Sequence, residues 1–528
     1  MEGHNHVINE MHNISAEGGK AMLSLRELCM ELDERKVTFR LIGSDSDVFI
    51  IDAFSDSRRP IKGGLFCCVK GEHLDGHLYA KDAIRAGAAA ILCERELPDV
   101  DVPQLVVSDV RKVMGLCAAI IHGYPAEKLM MLGVTGTNGK STTTILIKSF
   151  LESRGIRCGL LGTIFYSDGE DEPADRTTPE GPEIQRWLSK MVKKGCEACA
   201  MEASSHGLQQ GRLEGCRFDG AVFTNLTPEH LDYHGDMESY FKAKSLLFEI
   251  YMKEDWRGAS NADDPYGKRL LSRYPDRLLP YSLKGPIESG VWGLTKEASF
   301  DRLTMDIFLP GGESLIGVHI PMIGLYNAYN VLAAVTMGWS LSIPLCDMKK
   351  VLENAPLVPG RMERYVFPNG PCCVIDYAHT PDALENVLKA LKEVGCGRLI
   401  AVFGAGGERF AENRPKMGEV AARLADFVMV TMDNPRGEDP NLIAEQIVTG
   451  IRASGYNTPY EVILNRAEAV YAALDMASEG DVVLLAGKGP EQYIIIGKER
   501  IPYSDLEAVK SWAQKRNLNW NPAEGAHI

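Results

Sequence analysis

The residues from 129 to 144 constrain the fold more than any other part of this sequence. An apolar run, Leu129 to Leu132, is typical of a buried strand, and a turn with several glycines follows it. From Ser141 to Ser153 the apolar residues recur on one helical face until Gly155, which ends the pattern. The sequence therefore predicts a strand, a glycine-bearing loop and a helix, in that order.

The residue types in this loop suit a polyphosphate. Gly136 and Gly139 let backbone N–H groups turn inward, and the start of the helix adds a partial positive charge. Lys140 supplies a point charge for the terminal phosphates, and Ser141 is suited to hold Mg²⁺. The common G-x-x-x-x-G-K-S/T pattern would place its first glycine where Val134 stands, so the loop is a variant. A plain turn with an incidental Lys-Ser pair is the alternative, but the pattern favours a nucleoside triphosphate.

The length of 528 residues predicts about three domains at ~100–200 residues each. The expected divisions are a disordered polar tail over 1–20, an N-terminal domain over 21–126, a central domain over 127–358 and a C-terminal domain over 359–528. Strands alternate with helices in the two larger domains, which indicates mainly parallel sheets covered on both sides. We expect an α/β fold with a central P-loop ATPase-like sheet, a C-terminal Rossmann-like domain and a smaller mixed α/β N-terminal domain.

Charge and apolar pattern argue against several classes of function. A net charge of −15 disfavours a nucleic-acid groove. No apolar run approaches the ~18 residues that a membrane helix needs, and residues 1–20 lack the apolar core of a signal peptide. The 13 cysteines are expected to be reduced, with Cys196 and Cys199 in the region of a buried strand rather than at a metal. We expect a cytoplasmic protein with no nucleic-acid partner and no membrane insertion.

Two predicted strands of the central region end in groups that can bind a cation or a phosphate. The strand Ala198–Met201 leads into Glu202, with His206 shortly after, and the strand Gly220–Phe223 is followed by His230. Carboxylate and imidazole groups at the carboxyl ends of parallel strands suit Mg²⁺ and phosphate chemistry. Purely structural histidines are the alternative.

Asn327 and Asn330 open a long apolar helix and lie three positions apart, so they share one face of it. That face could read the edge of a nucleotide base. It could equally cap the helix, and the sequence leaves both interpretations open.

The strands predicted after residue 358 also end in unusual residues. These strand ends are Asp376–His379, Gly404–Arg409, Asp433–Arg436 and Gly487–Glu491. Because parallel strands end at one edge of a sheet, they predict the rim of a crevice. Its arginines and its carboxylate could bind a zwitterion, and a solvated charged rim is the alternative.

Five motifs, in this order, resemble those of the Mur ligases. They are Gly136–Ser141, Met201–Leu208, Thr224–Thr227 with His230–Gly235, Asp376–Pro381, and Asp433–Arg436. The resemblance covers nearly the whole chain. It is strongest to members that add meso-diaminopimelate to the D-glutamyl carboxylate of UDP-N-acetylmuramoyl-L-alanyl-D-glutamate. It implies an ATP-dependent, Mg²⁺-requiring ligase of peptidoglycan precursor synthesis that forms an acyl-phosphate intermediate.

The resemblance also implies roles for individual residues. As catalytic residues it implies Lys140, Lys244, Glu202 and His230, and as metal ligands Ser141, Glu202, His230 and Lys244. Lys244 is expected to be N6-carboxylysine, whose CO₂-derived carbamate is an anion that Mg²⁺ accepts. The implied ATP-binding residues are Gly136, Thr137, Asn138, Gly139, Lys140, Ser141, Thr142, Asn327, Arg361, Asp376 and His379. The implied UDP-substrate residues are Ser57, Thr177, Thr178, Ser204, Gln210 and Arg212. The implied amino-acid-binding residues are Arg409, Asp433, Asn434, Arg436, Gly487 and Glu491.

Four positions depart from the family pattern. The family has cysteine at Ala405, aspartate at Glu408, a basic residue at Asn413 and histidine at Pro490.

Arg436 favours diaminopimelate over lysine, because lysine would leave a buried guanidinium unpaired at a cost of about 1–3 kcal/mol. The alternatives are the same ligation with L-lysine or another amino acid, and a catalytically silent paralogue that binds nucleotide or UDP-sugar peptide. We expect a monomer.

Overall fold

The computed structural model describes residues 22–44, 48–71, 74–299, 302–368, 370–518 and 521–522. The expected tail, 1–20, lies outside these residues. Up to residue 128 the elements are β1 (Leu23–Ser24), α1 (Leu25–Glu34), β2 (Phe39–Ile42), β3 (Phe49–Ile50), β4 (Ala53–Phe54), β5 (Leu65–Cys67), α2 (Ala80–Arg85), β6 (Ala90–Cys93), β7 (Gln104–Val107) and α3 (Val110–Ile121).

The next 230 or so positions alternate strands and helices, as the sequence predicts. They form β8 (Met130–Thr135), α4 (Lys140–Glu152), β9 (Cys158–Leu161), β10 (Phe165–Ser167), β11 (Asp171–Pro173), α5 (Gly181–Lys193), β12 (Ala198–Glu202), α6 (Ser205–Gln209), β13 (Phe218–Phe223), α7 (Leu231–His234), α8 (Met237–Ile250), β14 (Met252–Asn261), α9 (Pro265–Arg273), β15 (Leu278–Ser282), β16 (Val291–Ala298), β17 (Leu303–Phe308), β18 (Ser314–Ile320), α10 (Leu325–Ser340) and α11 (Leu345–Glu353).

The last part of the chain repeats this alternation. Its elements are β19 (Glu363–Val366), β20 (Cys372–Asp376), α12 (Pro381–Glu393), β21 (Leu399–Phe403), α13 (Asn413–Leu424), β22 (Phe427–Val430), α14 (Pro440–Ala453), β23 (Tyr460–Val462), α15 (Arg466–Met476), β24 (Val482–Ala486), β25 (Tyr493–Ile496), β26 (Glu499–Pro502), α16 (Asp505–Lys515) and β27 (Asn521–Pro522).

The chain divides into two compact units. The first comprises residues 1–132, 157–219 and 246–255, and the second comprises 133–156, 220–245 and 256–528. Within the first unit, a five-stranded sheet has the order β2-β7-β6-β5-β4 and is parallel except for β2. Apolar side chains of α1 and α3 cover one of its faces and those of α2 the other, so this part is mixed α/β, as the sequence predicts.

A second group of strands in the first unit has the order β11-β10-β9-β12. Strands β9 and β12 are parallel, and Leu161 pairs with Met201. Because the two strands run the same way, the residues that follow them, Gly162 and Thr163 after β9 and Glu202 at the end of β12, meet at one edge.

The second unit contains strands β14, β15 and β16 in parallel, continued by the antiparallel β17 and β18. It also contains a seven-stranded sheet of order β23-β22-β21-β24-β20-β19-β27. Five neighbouring strands of that sheet, β23 to β20 in this order, are parallel, and separate apolar clusters cover its two faces. The predicted α/β class is confirmed, and the predicted domain boundaries stay a prediction.

Candidate active site

The loop between β8 and α4 has a backbone that only glycine fits at two positions. Gly136 has φ 146° and Gly139 has φ 87°, both in the region that L-residues avoid. A Cβ at Gly136 would lie 1.9 Å from Thr224 Oγ1, and one at Gly139 would lie 2.1 Å from Asn330 Oδ1. The helix begins at Lys140, one residue earlier than the sequence pattern predicts.

A second segment, which follows β13, holds this loop in place. Thr137 N–H donates to Asn225 O and Asn138 N–H donates to Asn225 Oδ1, both over 2.9 Å. Thr224 Oγ1 donates to Asn138 O over 2.6 Å. The motif at 224–227 therefore acts on the loop through hydrogen bonds, a role that its sequence does not reveal.

Lys140 and Ser141 differ in how their polar groups are satisfied. Lys140 Nζ donates to Gly136 O over 3.0 Å and to Thr137 O over 2.8 Å. Ser141 Oγ is buried and has no hydrogen-bond partner among the described residues. A buried hydroxyl without a partner costs about 1–3 kcal/mol, so this oxygen is poised for a ligand.

A buried lysine stands against the same loop. Lys244, on α8, is 1% exposed, and its Nζ donates to Gly136 O over 2.7 Å. Burial and the positive charge of Lys140 lower the pKa of Lys244 well below its ordinary value, against the opposing effect of Glu229. The amine is consequently biased toward its neutral form.

Glu229 lies between two imidazoles. Its Oε1 is 3.7 Å from His230 Nε2 and 3.8 Å from His379 Nε2. Burial acts to raise the pKa of Glu229, but the two histidines and the nearby lysines hold that pKa below its ordinary value. Desolvation, with Lys244 and Lys140, lowers the pKa of His230 to about 4 although Glu229 opposes this. His230 is thus neutral near pH 7, as a metal-ligating imidazole must be.

The residues expected around the nucleotide lie near the loop and at the end of β20. Asn327 donates from Nδ2 to Ile323 O over 2.8 Å and accepts at Oδ1 from Asn330 Nδ2 over 2.9 Å. Together with Thr142 and Arg361, Asn327 lines a narrow crevice. No side chain caps the start of α10 in the described structure, so the capping interpretation is wrong, and base reading stays a prediction.

Asp376 and Arg361 are fixed in different ways. Asp376 accepts from the backbone N–H groups of Met362 and Ala378, each over 2.8 Å. Burial raises the pKa of Asp376, and Arg361 opposes that rise. The Arg361 guanidinium lies 5.0 Å from the centre of the Tyr377 ring. Both residues therefore flank the start of the segment that leads to His379.

Helix α12 contributes a residue that the sequence analysis missed. Asp382 Oδ2 accepts from Thr227 Oγ1 over 3.1 Å and from Asn138 Nδ2 over 3.4 Å. It therefore ties the first turn of α12 to the loop and to the 224–227 segment. The available signal was its place directly after the motif at 376–381.

In the first unit, the residues expected to bind the UDP substrate lie close together, apart from Ser57. Glu202 accepts from Thr163 N–H over 2.8 Å, and Thr163 Oγ1 also contacts Thr177 Oγ1 at 3.1 Å. Thr178 Oγ1 donates to the main-chain oxygen of Glu202 over 2.8 Å. The remaining contacts are Ser204 N–H to Thr178 Oγ1 at 3.0 Å, Arg212 Nη1 to Thr178 O at 2.8 Å, and Arg212 Nη2 to Gln210 Oε1 at 2.7 Å.

Two neighbours of this group were not foreseen. Thr163 holds the Glu202 carboxylate, and Glu180 forms an ion pair with Arg212 at 3.2 Å. Ser57 lies elsewhere in this unit, in the turn after β4, between Asp56 and Arg58, which pair at 2.9 Å. Thr163 could have been found from its place two residues after the end of strand β9.

The residues predicted to bind the amino acid lie in one set of loops in the second unit. Arg436, with φ 51°, donates from Nη1 to Gly407 O over 2.7 Å. Asn434 Nδ2 donates to Glu491 Oε2 over 2.9 Å. Arg409 Nη1 donates to Glu408 O over 3.3 Å. A Cβ at Gly487 would lie 2.5 Å from Asp433 Oδ2.

The positions that depart from the family pattern occupy the same loops. Ala405 packs partly buried against an apolar cluster, and Glu408 Oε1 accepts from Gly437 N–H over 3.3 Å. Asn413 begins α13. Pro490 packs against Gly360, where a Cβ would meet its nitrogen at 2.3 Å. Each of these four residues therefore occupies a defined position in the structure.

Three further findings concern only the part of the chain that the structure describes. No group of three or more His, Cys, Asp and Glu side chains there is arranged to hold a metal ion. None of the helices there is long and apolar enough to cross a membrane. Every cysteine within those residues is a free thiol, in accord with the predicted reduced state.

Three family models match successive parts of the chain. The Mur ligase family catalytic domain matches residues 55–122, the Mur ligase middle domain matches 134–338, and the Mur ligase glutamate ligase domain matches 360–489. Together these matches extend over most of the sequence, in the order that the motifs predict.

Two relatives at about 40% identity carry the same name. A UDP-N-acetylmuramoyl-L-alanyl-D-glutamate--2,6-diaminopimelate ligase from Synechococcus elongatus is 42% identical over 475 residues, covering 88% of this chain and 94% of that protein. The enzyme of the same name from Geobacillus kaustophilus is 39% identical over 480 residues, covering 90% and 96%.

Solved structures agree with these similarities. A structure of a ligase of the same name is 32% identical with a TM-score of 0.61, covering 89% of this chain and 95% of the other. A MurF ligase from Thermotoga maritima in complex with ADP shares the fold at 20% identity, with a TM-score of 0.62 and coverage of 88% and 98%. By its matching domains and its relatives, this chain belongs to the Mur ligase family.

Proposed function

We propose that this chain is an ATP-dependent ligase that attaches meso-diaminopimelate to the D-glutamyl carboxylate of UDP-N-acetylmuramoyl-L-alanyl-D-glutamate. The observation that carries the proposal is the arrangement around Gly136, where Lys140 and Lys244 both donate to one loop carbonyl. The buried Ser141 hydroxyl in the same loop has no hydrogen-bond partner among the residues that the structure describes. The names of relatives at about 40% identity supply the substrates.

In the proposed reaction, the γ-phosphoryl group of ATP passes to a carboxylate oxygen, which gives an acyl phosphate and ADP. The amine of diaminopimelate then attacks the carbonyl carbon, the C–N bond forms, and phosphate leaves as the C–O bond breaks. Lys140 stabilises the charge of the transferring group. When ATP binds, Lys140 exchanges its hydrogen bonds to Gly136 O and Thr137 O for hydrogen bonds to phosphate oxygens. We expect the loop to move little in this exchange.

The residues of the second unit fit a magnesium ion. Ser141 supplies an unpaired hydroxyl oxygen, and His230 supplies a neutral imidazole. Carboxylated Lys244 would supply an anionic oxygen, and the role of Glu202 as a ligand stays a prediction from the sequence. When bound, Mg²⁺ neutralises phosphate charge.

The environment of Lys244 supports its carboxylation. Addition of CO₂ needs a neutral amine as the nucleophile, and the pKa of Lys244 is held well below its ordinary value. The new N–C bond forms with loss of one proton and leaves a carbamate anion. Incubation with ¹³C-labelled bicarbonate should give a carbamate ¹³C NMR signal that is absent from Lys244→Ala, and its absence from the wild type would contradict the assignment.

The two remaining substrates are assigned to separate groups of residues. The contacts among Thr178, Ser204, Gln210 and Arg212, and that of Thr177 with Thr163, support a UDP-substrate site in the first unit. Ser57 keeps its predicted role at the UDP end. In the second unit, the loops with Arg409, Asp433, Asn434, Arg436, Gly487 and Glu491 support the amino-acid site. A cytoplasmic location and a monomeric state stay predictions from the sequence.

The deciding experiment is ATP consumption with the UDP-dipeptide and a panel of amino acids. We expect turnover with meso-diaminopimelate, none with Lys140→Ala, and far less with L-lysine. Preference for L-lysine would support the alternative ligase. Binding of nucleotide without turnover by any amino acid would support the silent paralogue.

Arg436→Ala tests the amino-acid site more narrowly. We expect the KM for diaminopimelate to rise at least tenfold with little change for ATP, because the distal carboxylate loses its guanidinium. Arg452→Ala is a matched control, since this exposed arginine pairs with Glu445 on the surface at 3.0 Å. An unchanged amino-acid preference in Arg436→Ala would remove that residue from the site.

A further inference from the structure

Lys488 lies directly behind the proposed amino-acid site and is enclosed by it. Its side chain is 0% exposed. Its Nζ donates to Asn434 Oδ1 over 3.0 Å and forms an ion pair with Glu491 Oε2. The Tyr493 ring lies on a further side, with its centre 5.5 Å from Nζ. A fully buried ammonium needs such partners, because an unpaired one is costly to desolvate.

The partners of Lys488 are themselves joined. Asn434 Nδ2 donates to Glu491 Oε2 over 2.9 Å, and Ile495 N–H donates to Asn434 Oδ1 over 2.9 Å. Glu491 Oε1 accepts from the Tyr377 hydroxyl over 3.4 Å. Oε2 of Glu491 is therefore held by Lys488 and Asn434, whereas Oε1 has a longer hydrogen bond, to Tyr377.

This network affects the charge that a ligand meets. Arg409 lies close enough to act on Arg436, since burial and then the charge of Arg409 lower the pKa of Arg436. Arg436 lies among the charges of Arg409, Asp433, Glu491 and Glu408, so without Lys488 the carboxylates there outnumber the guanidiniums by one. Lys488 neutralises the carboxylate of Glu491 and leaves the charges of the site balanced. An amino acid whose far end carries a carboxylate beside its ammonium suits such a site, and one whose far end is only an ammonium does not.

We propose that Lys488 is a positioning residue that sets the amino-acid preference of this site through Glu491. It holds Glu491 and Asn434 in place and cancels the charge that would otherwise attract a lone ammonium group. The inference rests on the proposed function, because it takes these loops as the amino-acid site. Lys488 does not itself touch the ligand, and its effect passes through the carboxylate it pairs with.

The test measures the affinities of the complete chain for meso-diaminopimelate and for L-lysine by titration calorimetry. In Lys488→Met the freed carboxylate should attract lysine, so the affinity ratio of diaminopimelate to lysine should fall at least tenfold. Affinity for a non-hydrolysable ATP analogue should stay within twofold. The double variant Lys488→Met/Glu491→Gln removes both charges and should return the ratio to within threefold of the wild-type value.

A merely structural role would not give this recovery. An unchanged ratio in folded Lys488→Met, or a double variant whose ratio stays as low as that of the single variant, would overturn the proposal. If Lys488→Met does not fold, Glu491→Gln is compared with the double variant. Glu491→Gln leaves the charge of Lys488 uncancelled. The affinity ratio of diaminopimelate to L-lysine should therefore be at least tenfold higher in Glu491→Gln than in the double variant, and equal ratios would overturn the proposal. Binding is read without turnover, so failure of wild-type ATP consumption would refute only the proposed function.

Discussion

Replacing Gly139 by alanine should disable the phosphate loop by a calculable amount. At φ 87° the backbone of Gly139 is left-handed, which costs an L-residue about 1–2 kcal/mol. The new Cβ would also lie 2.1 Å from Asn330 Oδ1, so that side chain must move. Its buried hydrogen bond to Asn327, 2.9 Å long, would be lost at about 1 kcal/mol. The two costs together reach about 2–3 kcal/mol.

The loop relieves this strain by leaving the conformation that binds phosphate. Affinity for ATP should then fall about 30- to 150-fold, since each 1.4 kcal/mol is tenfold. Calorimetric titration with a non-hydrolysable ATP analogue and Mg²⁺ measures the change. Gly155→Ala is the matched control, because it has φ 76° and nothing within 4 Å of the added Cβ. It should lower the melting temperature slightly and leave nucleotide affinity unchanged.

The steric part of the argument can be separated from the backbone part. Asn330→Ala removes the atom that the new Cβ would meet, so Gly139→Ala/Asn330→Ala should bind more tightly than the sum of the single effects predicts. Strict additivity would show that the contact with Asn330 is irrelevant. Wild-type affinity and melting temperature in Gly139→Ala would refute the reasoning altogether.

Three other changes test separate parts of the structure. Ser141→Ala should leave the melting temperature unchanged or raised, since Ser141 Oγ has no partner among the described residues. The magnesium concentration needed for half-maximal ATP consumption should rise about tenfold or more. A large loss of stability would contradict this. The His230 ring should titrate in NMR spectra near pH 4, so it stays neutral as pH falls through its ordinary value of 6.5, and a midpoint near 6.5 would contradict its described environment. Asp505→Asn should lose about 3–5 kcal/mol in urea denaturation, because Arg466 and Asp505 form an ion pair with both side chains 0% exposed; a loss below about 1 kcal/mol would show that the pair contributes little.

Local pattern was enough to predict the loop itself. The strand before Gly136 and the helix after Gly139 follow from apolar periodicity and glycine placement within about twenty residues, and the structure confirms both with a one-residue difference at the helix start. The same reasoning placed Asp376 and Arg436 at the carboxyl ends of parallel strands, and the structure has Asp376 as the last residue of β20 and Arg436 in the loop after β22. Such features depend on neighbours in sequence.

Contacts between distant residues could not be predicted in this way. Asn225 and Asn138 are 87 positions apart, and they meet only because of how the chain folds between them. Asp382 reaches Asn138 across 244 positions, so its role depends on the packing of α12. Lys488 was visible as one residue of a strand-end motif, but its complete burial follows from the fold of β24 and β25 around it. The periodicity of apolar residues predicts helices and strands, whereas contacts between distant residues depend on how the chain folds.

Carboxylation of Lys244 would resolve an electrostatic conflict without breaking a hydrogen bond. Unmodified, Lys244 and Lys140 are two amines that donate to the same carbonyl oxygen of Gly136, and each disfavours the charge of the other. A carbamate keeps one N–H on the lysine nitrogen, so the 2.7 Å bond to Gly136 can persist. The like-charge pair then becomes an attraction between an anion and the Lys140 ammonium. The loop geometry is therefore compatible with both forms, and the charge arrangement favours the modified one.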